Sequence, residues 1–294
     1  MHSRRTIVAL LGIGAGLALG FPALGQVGAD LNVAPKRVVM GAEARSATVF
    51  VFNRGGAPVT YNISLVDRVM TPDGQITAVD ALKPGSPEAA AAADLHSAKS
   101  MILYTPRRVT LQPGESQTLR LRVLRPADLP AGEYRTHLTV TAVPPEDTGL
   151  TAEQAANPGE GQLAARVVAV FAISIPVIVR QGPADTRAVL DNVRFLAPSA
   201  ADAAGSHGAV ACDLVRAGGS SLFGDIEIRS AGASPSSAPI GVLRGIGVYA
   251  EIARRQITVA LDRAPAKGER LEISFKDQDL QLGSVLTRNS LSTP

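Results

Sequence analysis

Residues 116–123, SQTLRLRV, place Leu119, Leu121 and Val123 on one side of an extended chain and Arg120 and Arg122 on the other. A period of two is the pattern of a β-strand with one buried and one solvated face, whereas a helix would repeat its apolar positions at three and four. From Ala29 onward the chain keeps to this pattern: short apolar or alternating runs cut by Gly, Pro, Asn and Ser. That punctuation belongs to an all-β sandwich and not to an α/β protein. A chain of 294 residues is longer than one ordinary sandwich and suits two, each burying its own core.

The first residues carry a different signal. In MHSRRTIVALLGIGAGLALGFPALG, Arg4 and Arg5 precede a short apolar run, and Ala23 and Gly25 stand at cleavage spacing. The run is broken by glycines and ends at Pro22, short of the roughly 20 apolar residues a membrane span needs, so residues 1–25 read as a cleaved signal peptide. Residues 29–181 then form a first sandwich and residues 184–294 a second, joined at the Gly/Pro-marked stretch RQGPAD. Loss of Arg4 and Arg5 lowers the formal net charge from +3 to +1. With the arginines scattered over strand-like runs, no nucleic-acid partner is expected. The single Cys212 has no intramolecular partner, so stability rests on packing even in an oxidising compartment. The absence of Trp argues against a carbohydrate-stacking module.

Along the first sandwich, DLNVAPKRVVM reads as an edge strand that bends at Pro35 and changes sheets. SATVFVFNRGGAPVTYNISLVDRVM gives two strands joined by the Asn53–Pro58 turn, with Gly55 and Gly56 supplying its dihedrals. Residues 83–99, rich in Ala, Pro and Ser, are an insertion that forms either a short helix or a loop. After a long polar connection, residues 145–166, comes the run RVVAVFAISIPVIVR. Its odd positions Val167, Ala169, Phe171, Ile173 and Ile175 are apolar, and so are Val168, Val170 and Ala172 between them. A strand apolar on both faces must be covered on both, either by its own domain or by a partner, and periodicity does not choose. Six further strand candidates follow Gln181.

Catalytic chemistry is not expected. His96, His137 and His207 stand in no nucleophile or metal motif, and His137 reads as a sheet-surface residue. CxxC and HExxH are both missing, so neither a metal site nor a cofactor is expected. Asp225, Glu227, Asp277 and Asp279 alternate as on a solvated sheet face.

The motifs VAPKRVVM, VFNRGGAPVTYNI, YTPRRVTLQPGESQTLRLRV, GEYRTHLTVTAVPP and the strand ending PVIVR together resemble the N-terminal domain of the periplasmic pilus-assembly chaperones of the PapD type. They span about residues 30–180; the second sandwich resembles the family only in strand number and position. The resemblance implies two immunoglobulin-like sandwiches and donor-strand complementation, in which the last strand of the first sandwich lends apolar side chains to a pilin-like subunit with an incomplete sandwich. Such β-augmentation needs an exposed strand edge with alternate side chains entering the partner's groove. Val167, Ala169, Phe171, Ile173 and Ile175 are the expected donors, and a register off by one would exchange the faces.

The family also holds the subunit's terminal carboxylate with an arginine on the first strand and a lysine on the last. Arg37 matches the arginine, with Lys36 beside it. Pro176 stands where the lysine would be, a departure that leaves either Arg180 to take the anchoring role or the subunit terminus to be held differently. The resulting expectation is a non-enzymatic periplasmic chaperone that captures pilin-like subunits, passes them to an outer-membrane usher, and self-pairs through its edge strand when free. The alternative is a structural or adhesive immunoglobulin-like surface protein whose apolar strand is paired internally.

Overall fold

The computed structural model describes residues 30–144, 170–199, 205–234 and 236–294. The leader expected at 1–25 and the donor positions Val167 and Ala169 lie outside the described residues. The first half contains β1 (Leu31–Ala34), β2 (Val38–Met40), β3 (Ser46–Asn53), β4 (Val59–Val66), β5 (Arg68–Met70), β6 (Ile76–Ala78), α1 (Pro87–Ala93), β7 (Ile102–Thr105), β8 (Arg108–Leu111), β9 (Ser116–Val123), β10 (Gly132–Ala142) and β11 (Ala172–Gln181). The second half adds β12 (Ala188–Leu196), β13 (Ala209–Arg216), β14 (Leu222–Ser230), β15 (Gly241–Val248), β16 (Arg254–Ala260), β17 (Arg270–Asp277) and β18 (Val285–Ser292). The protein is all-β, folded as two immunoglobulin-like sandwiches. Among the described residues no helix is long and apolar enough to cross a membrane.

In the first sandwich a four-stranded sheet, β1-β3-β9-β7, faces a five-stranded one, β2-β11-β10-β4-β8. Alternation decides what goes between them. Leu119, Leu121 and Val123 of β9 are buried while Arg120 and Arg122 are exposed. They meet Leu138 and Val140 of β10 and Ile175, Val177 and Val179 of β11 from the facing sheet. β1 and β2 belong to different sheets, so the bend at Pro35 carries the chain across the sandwich. The Asn53–Pro58 turn also joins strands of different sheets, β3 and β4, and is therefore an arch over the sandwich end. Asn53 holds the arch, donating to Ala57 O (2.8 Å) and Leu111 O (3.0 Å) while accepting from Gly55 N (3.0 Å).

The insertion forms α1, capped by Ser86, whose hydroxyl accepts from Ala89 N (3.3 Å), with Pro87 in the first turn. It leans against the β5–β6 hairpin, and that hairpin crosses to the second sandwich. Met70 is buried in the second sandwich's core, Ala91 of α1 packs against the same core, and Gln256 N donates to Pro72 O (2.6 Å).

The second sandwich pairs a three-stranded sheet, β12-β13-β16, with a four-stranded one, β15-β14-β17-β18. Leu214, Leu222, Ile226, Ile228, Leu271 and Phe275 fill the space between. Gly224 lets β14 approach β17 closely, since a Cβ there would stand 2.0 Å from Lys276 O. Cys212 is buried in this core, where burial and then Asp213 push its thiol up to about 11. β18 escaped the sequence reading because VLTRNSLS has no apolar alternation; its residues are only half-buried or exposed along the edge of the sheet.

Met70→Ala removes a side chain from the seam between hairpin and second sandwich and should cost about 2–4 kcal/mol of stability by chemical denaturation. A loss under about 0.5 kcal/mol would mean that the hairpin is not clamped by that core.

Candidate functional site

β11 has different neighbours along its length. Its whole span pairs with β10, but on the other side only Val177–Val179 pair, in parallel with Val38–Met40 of β2. Among the described residues, Ala172–Pro176 therefore have a strand on one side alone. Ala142 N donates to Phe171 O (3.0 Å), which fixes the alternation of the ladder. The odd residues of β11 bond to β10, and the backbone groups of Ala172 and Ser174 turn toward the open edge. Pro176 has the same parity, so its missing N–H would have pointed outward and β10 loses no bond. This is why a proline is tolerated inside a strand of a five-stranded sheet.

The odd side chains face the sandwich interior. Val179 and Val177 are fully buried, Ile175 is 2% exposed, Ile173 is half-buried against the core, and Phe171 is 37% exposed. Cover thins toward the start of the strand, where Val170 is also 46% exposed. Ile175 therefore departs from the expectation that the odd set is free for a partner. It pairs with Leu138 in the middle of the sheet, where its own core already encloses it. Phe171 and Ile173 lie where that core runs out.

Toward Arg135 and Arg180, the other face of β10 and β11 is covered by the second sandwich. Arg180 donates from Nε to Glu133 Oε2 (3.0 Å) and from Nη2 to Asp279 Oδ2 (2.5 Å). Arg37 reaches the same carboxylate, with Nη1 3.0 Å from Asp279 Oδ1. Its Nη2 donates to Ser221 Oγ (3.4 Å), and its guanidinium lies 4.8 Å from the centroid of the Phe223 ring. Glu133 Oε2 also accepts from Ser221 N (3.3 Å). Two arginines of the first sandwich, one of them also held by Glu133, thus close on one aspartate of the second. The side chains of Arg180 and Asp279 are 5% and 6% exposed, that of Arg37 11%. Burial alone would raise the carboxyl of Asp279; the Arg180 bond and the two guanidinium charges outweigh it and hold the group below its ordinary value.

Asp279 is placed by Asp277, which is 1% exposed and accepts from the backbone N–H groups of Asp279 (2.9 Å), Leu280 (3.1 Å) and Gln281 (2.7 Å). Both carboxylates contradict the reading of a solvated sheet face: one pins a turn and the other spans the junction. Arg37 and Arg180 are likewise locked into the junction, whereas Lys36 is exposed and bonds Asn32 Oδ1 (2.7 Å). Glu133 lies within GEYRTHLTVTAVPP but was not singled out, because its role depends on Arg180 coming opposite it in the β10–β11 register.

A second cluster lies beside the first. Arg135 pairs with Glu251, donates to Arg68 O (2.9 Å) and sits over the Tyr249 ring at 4.0 Å. Met70 N donates to Glu251 Oε1 (3.0 Å). His137, expected on a sheet surface, is 1% exposed because Tyr249 packs against it edge-on, with centroids 6.2 Å apart. Burial first, then the charges of Arg135 and Arg68, push its imidazole down to about 2.

By sequence, no protein-family model and no curated protein matches the chain. Solved structures similar to it include the YadV chaperone, at 12% identity and TM-score 0.42 over 90% of this chain and 99% of that one. The class 5 fimbriae chaperone CfaA matches at 10% identity and TM-score 0.41 over 90% and 99%. A chain of the CsuC–CsuE chaperone–tip adhesion subunit pre-assembly complex of Acinetobacter baumannii matches at 14% identity and TM-score 0.41 over 90% and 97%.

The buried histidine makes stability depend on pH in a defined direction. Unfolded, His137 takes up a proton near its ordinary 6.5; folded, it resists protonation down to about 2. The unfolded state binds more protons between those values, so stability falls as pH drops below 6.5, approaching about 1.4 kcal/mol per pH unit. His137→Gln should flatten the decline in denaturation free energy between about pH 6 and pH 4. Equal slopes in the two proteins would show that His137 does not carry it.

Proposed function

We propose that this chain is a periplasmic chaperone that captures pilin-like subunits by strand addition at the open edge of β11 and delivers them to an outer-membrane usher. The observation that carries the reading is the one-sided pairing of Ala172–Pro176 beside Phe171 and Ile173. There, free backbone groups and uncovered apolar side chains occur together. An incoming strand would lie in line with β2, hydrogen-bonding Ala172 and Ser174 and covering the thin end of the core. Both halves of the bargain are physical: the client gains the strand its own sandwich lacks, and the chaperone covers apolar surface that would otherwise invite aggregation.

The motif resemblance over residues 30–180 and the export signal support the same reading. In this proposal Phe171 and Ile173 are donors, Val167 and Ala169 continue the set upstream, and Ile175 is a structural residue. β2 begins where the open edge ends, so an added strand running toward the junction ends beside Arg37, which makes Arg37 and neighbouring Lys36 the residues for its terminal carboxylate. Arg180 serves by holding the sandwiches together. The free chain pairs with a second copy through the same edge.

The test is purification of the tagged mature protein from the periplasm of its source, with mass analysis of what co-elutes in stoichiometric amount. A small exported β-rich subunit is the expected partner. Phe171→Asp should reduce its yield at least tenfold while changing stability by no more than about 0.5 kcal/mol, as for an exposed position. Ile175→Asp should instead destabilise the fold by several kcal/mol, because it buries an unpaired charge. Undiminished capture by a folded Phe171→Asp protein would remove this edge from the site; recovery of the protein alone in a surface fraction would replace the chaperone reading with a structural one.

A further inference from the structure

We infer that the outer face of the four-stranded sheet β1-β3-β9-β7 docks on an anionic phospholipid surface, with Phe50 and Phe52 entering the headgroup boundary and Arg120 and Arg122 meeting lipid phosphates. The inference does not depend on strand capture, which uses the other sheet of the same sandwich.

The face departs from what alternation asks of a solvated sheet. In β3, Val49 and Val51 point into the core and are fully buried, so Phe50 and Phe52 point out. Phe50 is 41% exposed, and its ring centroid lies 6.3 Å from that of Phe52. Across the β3–β9 register Phe50 stands opposite Thr118, which makes Arg120 its diagonal neighbour. Arg122 stands opposite Leu103 of β7, itself 50% exposed. Strand propensity accounts for a phenylalanine in β3, but not for leaving it uncovered beside a second ring.

The charge on this face has one sign. None of the four strands contains an acidic residue. The side chains of Arg120 and Arg122 are exposed and make no ion pair or hydrogen bond among the described residues, so both guanidiniums are open to an anion. A headgroup layer selects this combination. Aromatic rings settle at the boundary between phosphates and acyl chains, and each cation adds attraction to an anionic leaflet.

Placement favours a bilayer over an acidic protein. The second sandwich packs on the outer side of β10 and β11, toward Arg135 and Arg180, so the β1-β3-β9-β7 face looks the opposite way. β1, an edge strand of that sheet, starts at Leu31, and only residues 26–30 separate it from the expected leader. At about 3.6 Å per extended residue, a leader still held in the membrane keeps this sheet within roughly 20 Å of the lipid. Docking through this face leaves β11, in the opposite sheet, open to a client.

The experiment is flotation of the whole mature protein with vesicles of phosphatidylcholine, alone or with phosphatidylglycerol added. Wild type should float with the phosphatidylglycerol vesicles only, and about 0.5 M salt should release it. Arg120→Gln combined with Arg122→Gln should raise the lipid concentration for half-binding about tenfold. Phe50→Thr, which keeps strand propensity, should raise it about fivefold. Leu103→Thr takes its place should that variant not fold. Phe171→Asp, on the other sheet, should bind vesicles as the wild type does. No flotation of the wild type would overturn the inference and leave the face to an acidic protein. Equal binding to uncharged vesicles, or unchanged binding in the folded face variants, would overturn it as well. Loss of binding in Phe171→Asp alone would overturn it by moving the lipid contact to the β11 edge.

Discussion

The arrangement of this molecule depends on one guanidinium, that of Arg180, placed between Glu133 of its own sheet and Asp279 of the other sandwich. Removing three such groups from water is costly, and the cost is met only when the geometry satisfies nearly every charge at once. The network thereby selects one mutual orientation of the sandwiches, because a small rotation would leave a buried ion without its partner. The neighbouring Arg135–Glu251 pair, stacked on Tyr249, repeats the device and reaches the β5–β6 hairpin through Met70 N.

That fixed orientation divides β11 into three stretches with different roles. Near Arg180 the strand is a structural tie. Around Val177–Val179 it is an interior strand, flanked by β10 and β2 and buried on both faces. From Pro176 back to Ala172 it is an edge whose inward face loses its cover step by step toward Phe171. Pro176 sits at the boundary, where its absent N–H costs the β10 ladder nothing. Among the described residues the same chain segment thus anchors, packs and presents an edge within ten residues.

The hairpin and α1 make the junction more than an ionic contact. A short excursion from the first sandwich places Met70 in the second sandwich's core and Ala91 against it, so apolar burial and ion pairing act across the same seam.

How much was legible in the sequence follows from which forces are local. The alternation in β9 and the sheet change at Pro35 each depend on residues within a few positions, and the sequence alone determined them; for the insertion it left a short helix and a loop both open. The two-sandwich plan and the apolar run ending at Ile175 were also plain, as was Arg37 as a residue of interest. What only the tertiary structure decided was the environment of each charge and each face. Asp277 and Asp279 look like surface carboxylates until a tight turn encloses the first and two arginines of the first sandwich close on the second, and His137 looks like a surface imidazole until the second sandwich covers it. Arg180 reads as a strand-end cation until Glu133 comes opposite it in register. Ile175 and Phe171 share a face and a pattern, and only the extent of the core separates the sealed residue from the open one. Burial and pairing depend on contacts between residues far apart in the chain, and periodicity carries no information about those distances.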